Sequence, residues 1–162
     1  MCEVSDGLEA VQKARELPPD VILLDIGLPK LNGIEAARQI RKLAPNSKVL
    51  FLSIEDSLDV VGEALRTGAS GYVVKADAGR DLVKGVEAVV QGNRFVSSRL
   101  KGRIPLDGGE VLAWPAAPVL PNKTEITRRH EVQFYSDDAV FLERASQFIG
   151  AALRSGNAAI VC

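Results

Sequence analysis

The stretch Val21-Ile22-Leu23-Leu24-Asp25 sets a continuous aliphatic run, β-branched at its start, against a terminal carboxylate. A run this short, with no polar alternation, has the character of a strand covered on both faces. Val49-Leu50-Phe51-Leu52 and Tyr72-Val73-Val74 repeat the pattern. Helical stripes separate them: Leu8, Val11, Ala14 and Leu17 after a Ser5 or Asp6 cap; Ile34, Ala37, Ile40 and Leu43 or Ala44 between Asn32-Gly33 and Pro45; Leu58, Val61 and Leu65 before Gly68; Leu82, Val86 and Val89 or Val90 before Gly92. The order α-β-α-β-α-β-α with short connections predicts a parallel sheet with helices on both faces.

The whole chain has 162 residues, 46% hydrophobic and 25% charged, within the range of an ordinary globular protein. Twenty basic against 21 acidic side chains leave a net charge of −1, which argues against a nucleic-acid reader or a membrane-surface binder. No apolar run approaches the roughly 20 residues a membrane span needs. The opening MCEVSDG has no basic start followed by an apolar stretch, so a cytoplasmic protein is expected. Cys2 and Cys162 are the only cysteines, too few and too far apart for a disulfide framework or a C-x-x-C clip. His130 is the single histidine. It could serve as a base, but no G-x-S-x-G elbow accompanies it, and a strand-edge histidine is the simpler reading.

Residues 99–128 break the rhythm, with Pro105, Pro115, Pro118 and Pro121 among them, and read as a linker carrying one apolar anchor at Trp114. Order returns over 129–162. His130–Tyr135 alternates like a strand, Ser136-Asp137-Asp138 can cap a helix with the stripe Phe141, Ala145, Phe148, Ile149 and Ala152, and Ala158–Cys162 starts another strand. Such a β-α-β unit cannot bury much core alone, so it must pack on something else or open a longer domain.

In a parallel α/β sheet, functional groups collect at the carboxyl ends of the strands. Here those ends carry Asp25, Ser53 and Lys75. A carboxylate can act as a nucleophile toward phosphorus, an ammonium can pair with a phosphoryl oxygen, and a hydroxyl can hydrogen-bond another. Each residue alone could simply be a polar strand terminus; it is the three together that point to phosphoryl chemistry.

EVSDGLEAVQKARELPPDVILLDIGLPKLNGIEAARQIRKL (3–43), KVLFLSIED (48–56) and ALRTGASGYVVKAD (64–77) resemble the receiver domain of bacterial response regulators, notably the subclass that carries a LuxR-type output. The resemblance implies a flavodoxin-like (CheY-like) fold over residues 1–98. It also implies Asp25 as phosphoacceptor, Ser53 and Tyr72 as switch residues, and Lys75 as the phosphate contact. Gly27 falls where a backbone carbonyl joins Asp25 in holding Mg²⁺, and Pro29 with Gly33 would shape the loop. Tyr72 could equally be a core-edge tyrosine.

By the same resemblance, the first strand and helix of the fold are missing, so a truncated receiver is expected. The missing strand carries an acidic pair that supplies Mg²⁺ ligands, and its absence would leave one edge of VILLD open to aberrant pairing. Residues 130–162 resemble the start of a DcmR-like (MEDS) sensory domain. Alternatively they fold back beside VILLD, with Asp137 and Asp138 standing in for the acidic pair, or those two aspartates merely cap a helix. The expected function is a non-enzymatic one: phosphorelay, with a sensor histidine kinase as donor and the change passed through Ser53 and Tyr72 to the helical face near 56–92, altering association with a partner, a second copy or the C-terminal segment. The alternative is a non-phosphorylated scaffold that uses its helical face for dimerisation. No basic recognition helix for DNA follows.

Overall fold

The structure, a computed structural model, describes residues 2–104 and 159–161. Among the described residues six parallel strands form one sheet: β1 (Cys2–Glu3), β2 (Val21–Leu24), β3 (Lys48–Ser53), β4 (Gly71–Val74), β5 (Phe95–Val96) and β6 (Ala159–Val161), in the spatial order β1-β6-β2-β3-β4-β5. Helices α1 (Gly7–Glu16), α2 (Gly33–Leu43), α3 (Leu58–Arg66) and α4 (Ala78–Val90) make the crossovers.

Strand period decides which core each residue enters. Ile22, Leu24, Val49, Phe51, Tyr72 and Val74 meet α1, α2 and α3 on one face, while Val21, Leu23, Leu50, Leu52 and Val73 meet α4 on the other. Both faces of β2 are therefore covered, as its unbroken aliphatic run implied. Asp6 caps α1 by accepting the Glu9 amide at 2.9 Å, and Asn32 caps α2 by accepting that of Glu35 at 2.9 Å.

Two expectations change. The stripe on α1 is rotated: Ala10, Val11 and Ala14 are buried, while Leu8 and Leu17 stand 52% and 57% exposed. The cause is Gly7, where a Cβ would lie 1.9 Å from the Leu31 carbonyl oxygen, so the close approach of α1 to that loop sets the helix's rotation. The packed unit also runs past residue 98. Ser98–Leu100 form a 3-10 turn, Leu100 is fully buried, and Ile104 packs on the same core. One buried leucine decides this, a signal too small to register against the proline- and glycine-rich stretch that follows.

The β2 edge expected to be open is paired. Val21, Ile22 and Leu23 are in parallel register with Ala159, Ile160 and Val161. The fold-back is therefore made by the last strand of the chain. Trp114, His130, Asp137, Asp138 and the stretch after them that the sequence reads as a helix lie outside the described residues.

Candidate functional site

The adjacent ends of β2, β3 and β4 carry Asp25, Ser53 and Lys75. Lys75 Nζ donates to Asp25 Oδ2 at 2.5 Å, and the Gly27 amide donates to Asp25 Oδ1 at 3.1 Å. Both members of the ion pair are mostly buried, 17% and 16% exposed, so bulk water screens their attraction only in part.

The loop after Asp25 is held by the first turns of two helices. The Gly33 amide donates to the Ile26 carbonyl at 3.0 Å, and a Cβ on Gly33 would sit 2.0 Å from the Asp25 carbonyl oxygen. At Lys30 the backbone enters the left-handed region, φ 60°, and the Lys30 ammonium binds the Asp6 carboxylate. That bond and the Glu9 amide hold the Asp6 carboxyl below its ordinary value. Pro29 accepts the Leu31 amide at 2.7 Å and the Gly7 amide at 3.4 Å. The sequence named Pro29 and Gly33 as loop residues; Asp6 entered only as a helix cap, and its bond to Lys30, 24 residues away, leaves no local sequence signal.

Ser53 and Tyr72 meet through Glu55. The Glu55 amide donates to Ser53 Oγ at 3.3 Å, and the Tyr72 hydroxyl donates to the Glu55 carbonyl at 2.8 Å. Tyr72 is fully buried, its ring 6.1 Å from that of Phe51. Burial pushes its phenol up to about 12, against the pull of the Ser53 hydroxyl and with the help of the negative charge of Glu55, Asp25 and Asp56. The stability its protonated form contributes is thus complete below pH 10 and lost as pH rises through about 12. An alkaline titration followed by tyrosinate absorbance should show a late transition near pH 12 that is absent in Tyr72→Phe; an identical profile in the variant would refute the assignment.

A second polar cluster ties the segment after β5 to this end of the sheet. Ser97 Oγ accepts the Val74 amide at 2.9 Å. The Ser98 amide and hydroxyl donate to the two Asp81 oxygens at 2.7 and 3.1 Å. Arg99 bridges Asp77, at 2.8 Å, and Asp56, at 3.5 Å. Sequence reasoning missed this clasp, because its partners are 17 to 43 residues apart.

Divalent magnesium needs about six oxygen donors. Among the described residues no group of three or more His, Cys, Asp or Glu side chains is placed to share a metal ion. Asp25 already has one oxygen on Gly27 and the other on Lys75, so the described residues do not make a complete hard-cation site. No described helix is long and apolar enough to cross a membrane.

A family model for the response regulator receiver domain matches residues 1–87. The transcriptional regulatory protein DegU of Brevibacillus brevis is 42% identical over 95 residues, 59% of this chain and 40% of that protein. The chemotaxis protein CheY of Thermotoga maritima is 41% identical over 73 residues, 45% of this chain and 61% of that protein. The crystal structure of a LuxR-family two-component response regulator from Aurantimonas sp. SI85-9A1 superposes with a TM-score of 0.59 at 34% identity, covering 62% of this chain and 71% of that one. The chain therefore spans less than two thirds of the length of either curated relative.

Proposed function

This chain belongs to the response regulator receiver domain family, and on that premise we propose that it accepts a phosphoryl group on Asp25 from a sensor histidine kinase. The observation that carries the reading is the Asp25–Lys75 pair at the end of β2, with the Gly27 amide on the other carboxylate oxygen. In the transfer, an Asp25 oxygen attacks phosphorus while the bond from phosphorus to the donor imidazole nitrogen breaks, and the imidazole leaves. The Lys75 ammonium then neutralises a phosphoryl oxygen, and the Ser53 hydroxyl donates to another. Once Ser53 turns to the phosphoryl group it releases the Glu55 amide, and Glu55 carries the acceptor of the Tyr72 hydroxyl. The change thereby reaches the face around α3, where Ile54 is exposed, as a surface for a partner or a second copy.

Receivers of this family typically use Mg²⁺ for phosphorylation. The described residues do not complete a site for it. The further organisation extends the sequence reading, which set a receiver over 1–98, a linker over 99–128 and a DcmR-like sensory segment over 129–162: the receiver's packing continues through Leu100 and Ile104, so the linker starts after them, and Asp137 and Asp138 stay candidate extra carboxylates.

Treatment of the full chain with acetyl phosphate, with and without Mg²⁺, tests the proposal. Mass spectrometry of the intact protein should show one added phosphoryl group in the wild type and none in Asp25→Asn. No uptake by the wild type supports the scaffold alternative, and equal uptake by Asp25→Asn removes Asp25 from the mechanism.

A further inference from the structure

In the strand order β1-β6-β2, the element between the first two strands comes from the far end of the chain. β1 is an edge strand, and its neighbour is β6, with Cys2 opposite Ile160 and Glu3 opposite Val161. β6 in turn lies along β2, whose carboxyl end carries Asp25. Among the described residues β1 has no ladder partner other than β6, and without β6 none of them would pair that edge of β2.

Strand addition of this kind draws its binding from main-chain hydrogen bonds. Three residues are at the short end for any strand. Both ladders of β6 are made within one chain, so its pairing is an intramolecular event that does not depend on protein concentration.

We propose that Ala159–Val161 is a removable internal strand insert: it completes the sheet from the C-terminal segment, and its withdrawal loosens β1 and the strand that carries Asp25. The C-terminal segment then acts on the phosphoacceptor strand through the sheet itself. The insert is independent of whether Asp25 is phosphorylated, because it rests on strand order alone.

Two measurements on the full chain test this. Adjacent strands run about 4.8 Å apart, within the Cα separation that a disulfide spans. In a Cys162→Ser background, Ile160→Cys should therefore crosslink to Cys2 within one chain under mild oxidation, giving a faster-migrating monomer on a non-reducing gel. No crosslink, or crosslinks between chains only, overturns the insert. In the second measurement, Ile160→Pro removes the central amide of β6. Hydrogen exchange should accelerate at least tenfold at amides of Glu3 and Val21–Leu24 that face β6, with Gly71–Val74 unchanged. Unchanged exchange at β2, or uniform acceleration across the sheet, contradicts a removable strand. If Ile160→Pro fails to fold, the claim of removability fails with it, and the crosslink still decides the placement.

Discussion

Gly33→Ala is expected to destabilise the protein by about 3 kcal/mol or more, although glycine-to-alanine changes inside helices ordinarily stabilise by about 1 kcal/mol. The new methyl carbon would lie 2.0 Å from the Asp25 carbonyl oxygen and 2.8 Å from its carbonyl carbon. These are backbone atoms of the residue that follows β2, so no side chain can swing away to make room. Either α2 moves out or the end of β2 bends. The Gly33 amide bond to Ile26 is lost in the first case, and the placement of the Asp25 carboxylate in the second. Phosphoryl uptake should fall along with stability. Gly79→Ala is the control, because a methyl there meets nothing within 4 Å in a helix of the same fold. It should raise stability by about 0.5–1 kcal/mol. Urea unfolding of both variants checks the pair, and a stable Gly33→Ala would show that the loop after Asp25 is not clamped as described.

Asp81→Ala should cost about 3 kcal/mol, since hydrogen bonds to a charged group contribute about 1.5–3 kcal/mol and the loss leaves partners unsatisfied. Asp81 is 1% exposed and receives both the amide and the hydroxyl of Ser98. Its bond to Arg80 adds less, because that guanidinium is largely in water. Burial pushes the Asp81 carboxyl up, but the Ser98 amide, the Arg80 guanidinium and the Ser98 hydroxyl together pull it further down, leaving it below its ordinary 3.8. A carboxyl depressed in the native state stabilises the fold above its unfolded pKa, and that contribution is lost as pH falls through the native value. The stability difference between wild type and Asp81→Ala should therefore be full at neutral pH and shrink below pH 3.8. A difference that stays constant with acid would mean that the carboxylate charge plays no part. Faster hydrogen exchange at Ser98–Leu100 would locate the damage in the clasp.

The sheet and its site were readable where the signal was local and dense. β2, β3 and β4 each announce themselves by three or four consecutive apolar residues, and each ends in the polar side chain that the fold brings to one edge. β5, at two residues, is too short to carry any period, and it took the buried Leu100 beyond it to show that the chain is still packed there. On α1 the expected stripe is half right: Val11 and Ala14 are buried, but Gly7 and Ala10 join them in place of Leu8 and Leu17, because small residues are needed where helix and loop approach most closely. The placement of β6 depends on a pairing between residues 22 and 160, and Ala-Ile-Val specifies a strand without specifying its neighbour. In the site, the meeting of Asp25, Ser53 and Lys75 was readable from their places at the strand ends, Tyr72 entered only through the family resemblance, and Glu55 left no signal, because it participates through its backbone.

A contact made through the backbone does not depend on the side chain that accompanies it. The group that anchors the Tyr72 hydroxyl is a peptide carbonyl, which every amino acid possesses. The side chain at position 55 is therefore not needed for that anchor, and its charge reaches the phenol only through space. Exchanging Glu55 for a neutral residue would keep the hydrogen bond and take away one of the negative charges that hold the phenol up.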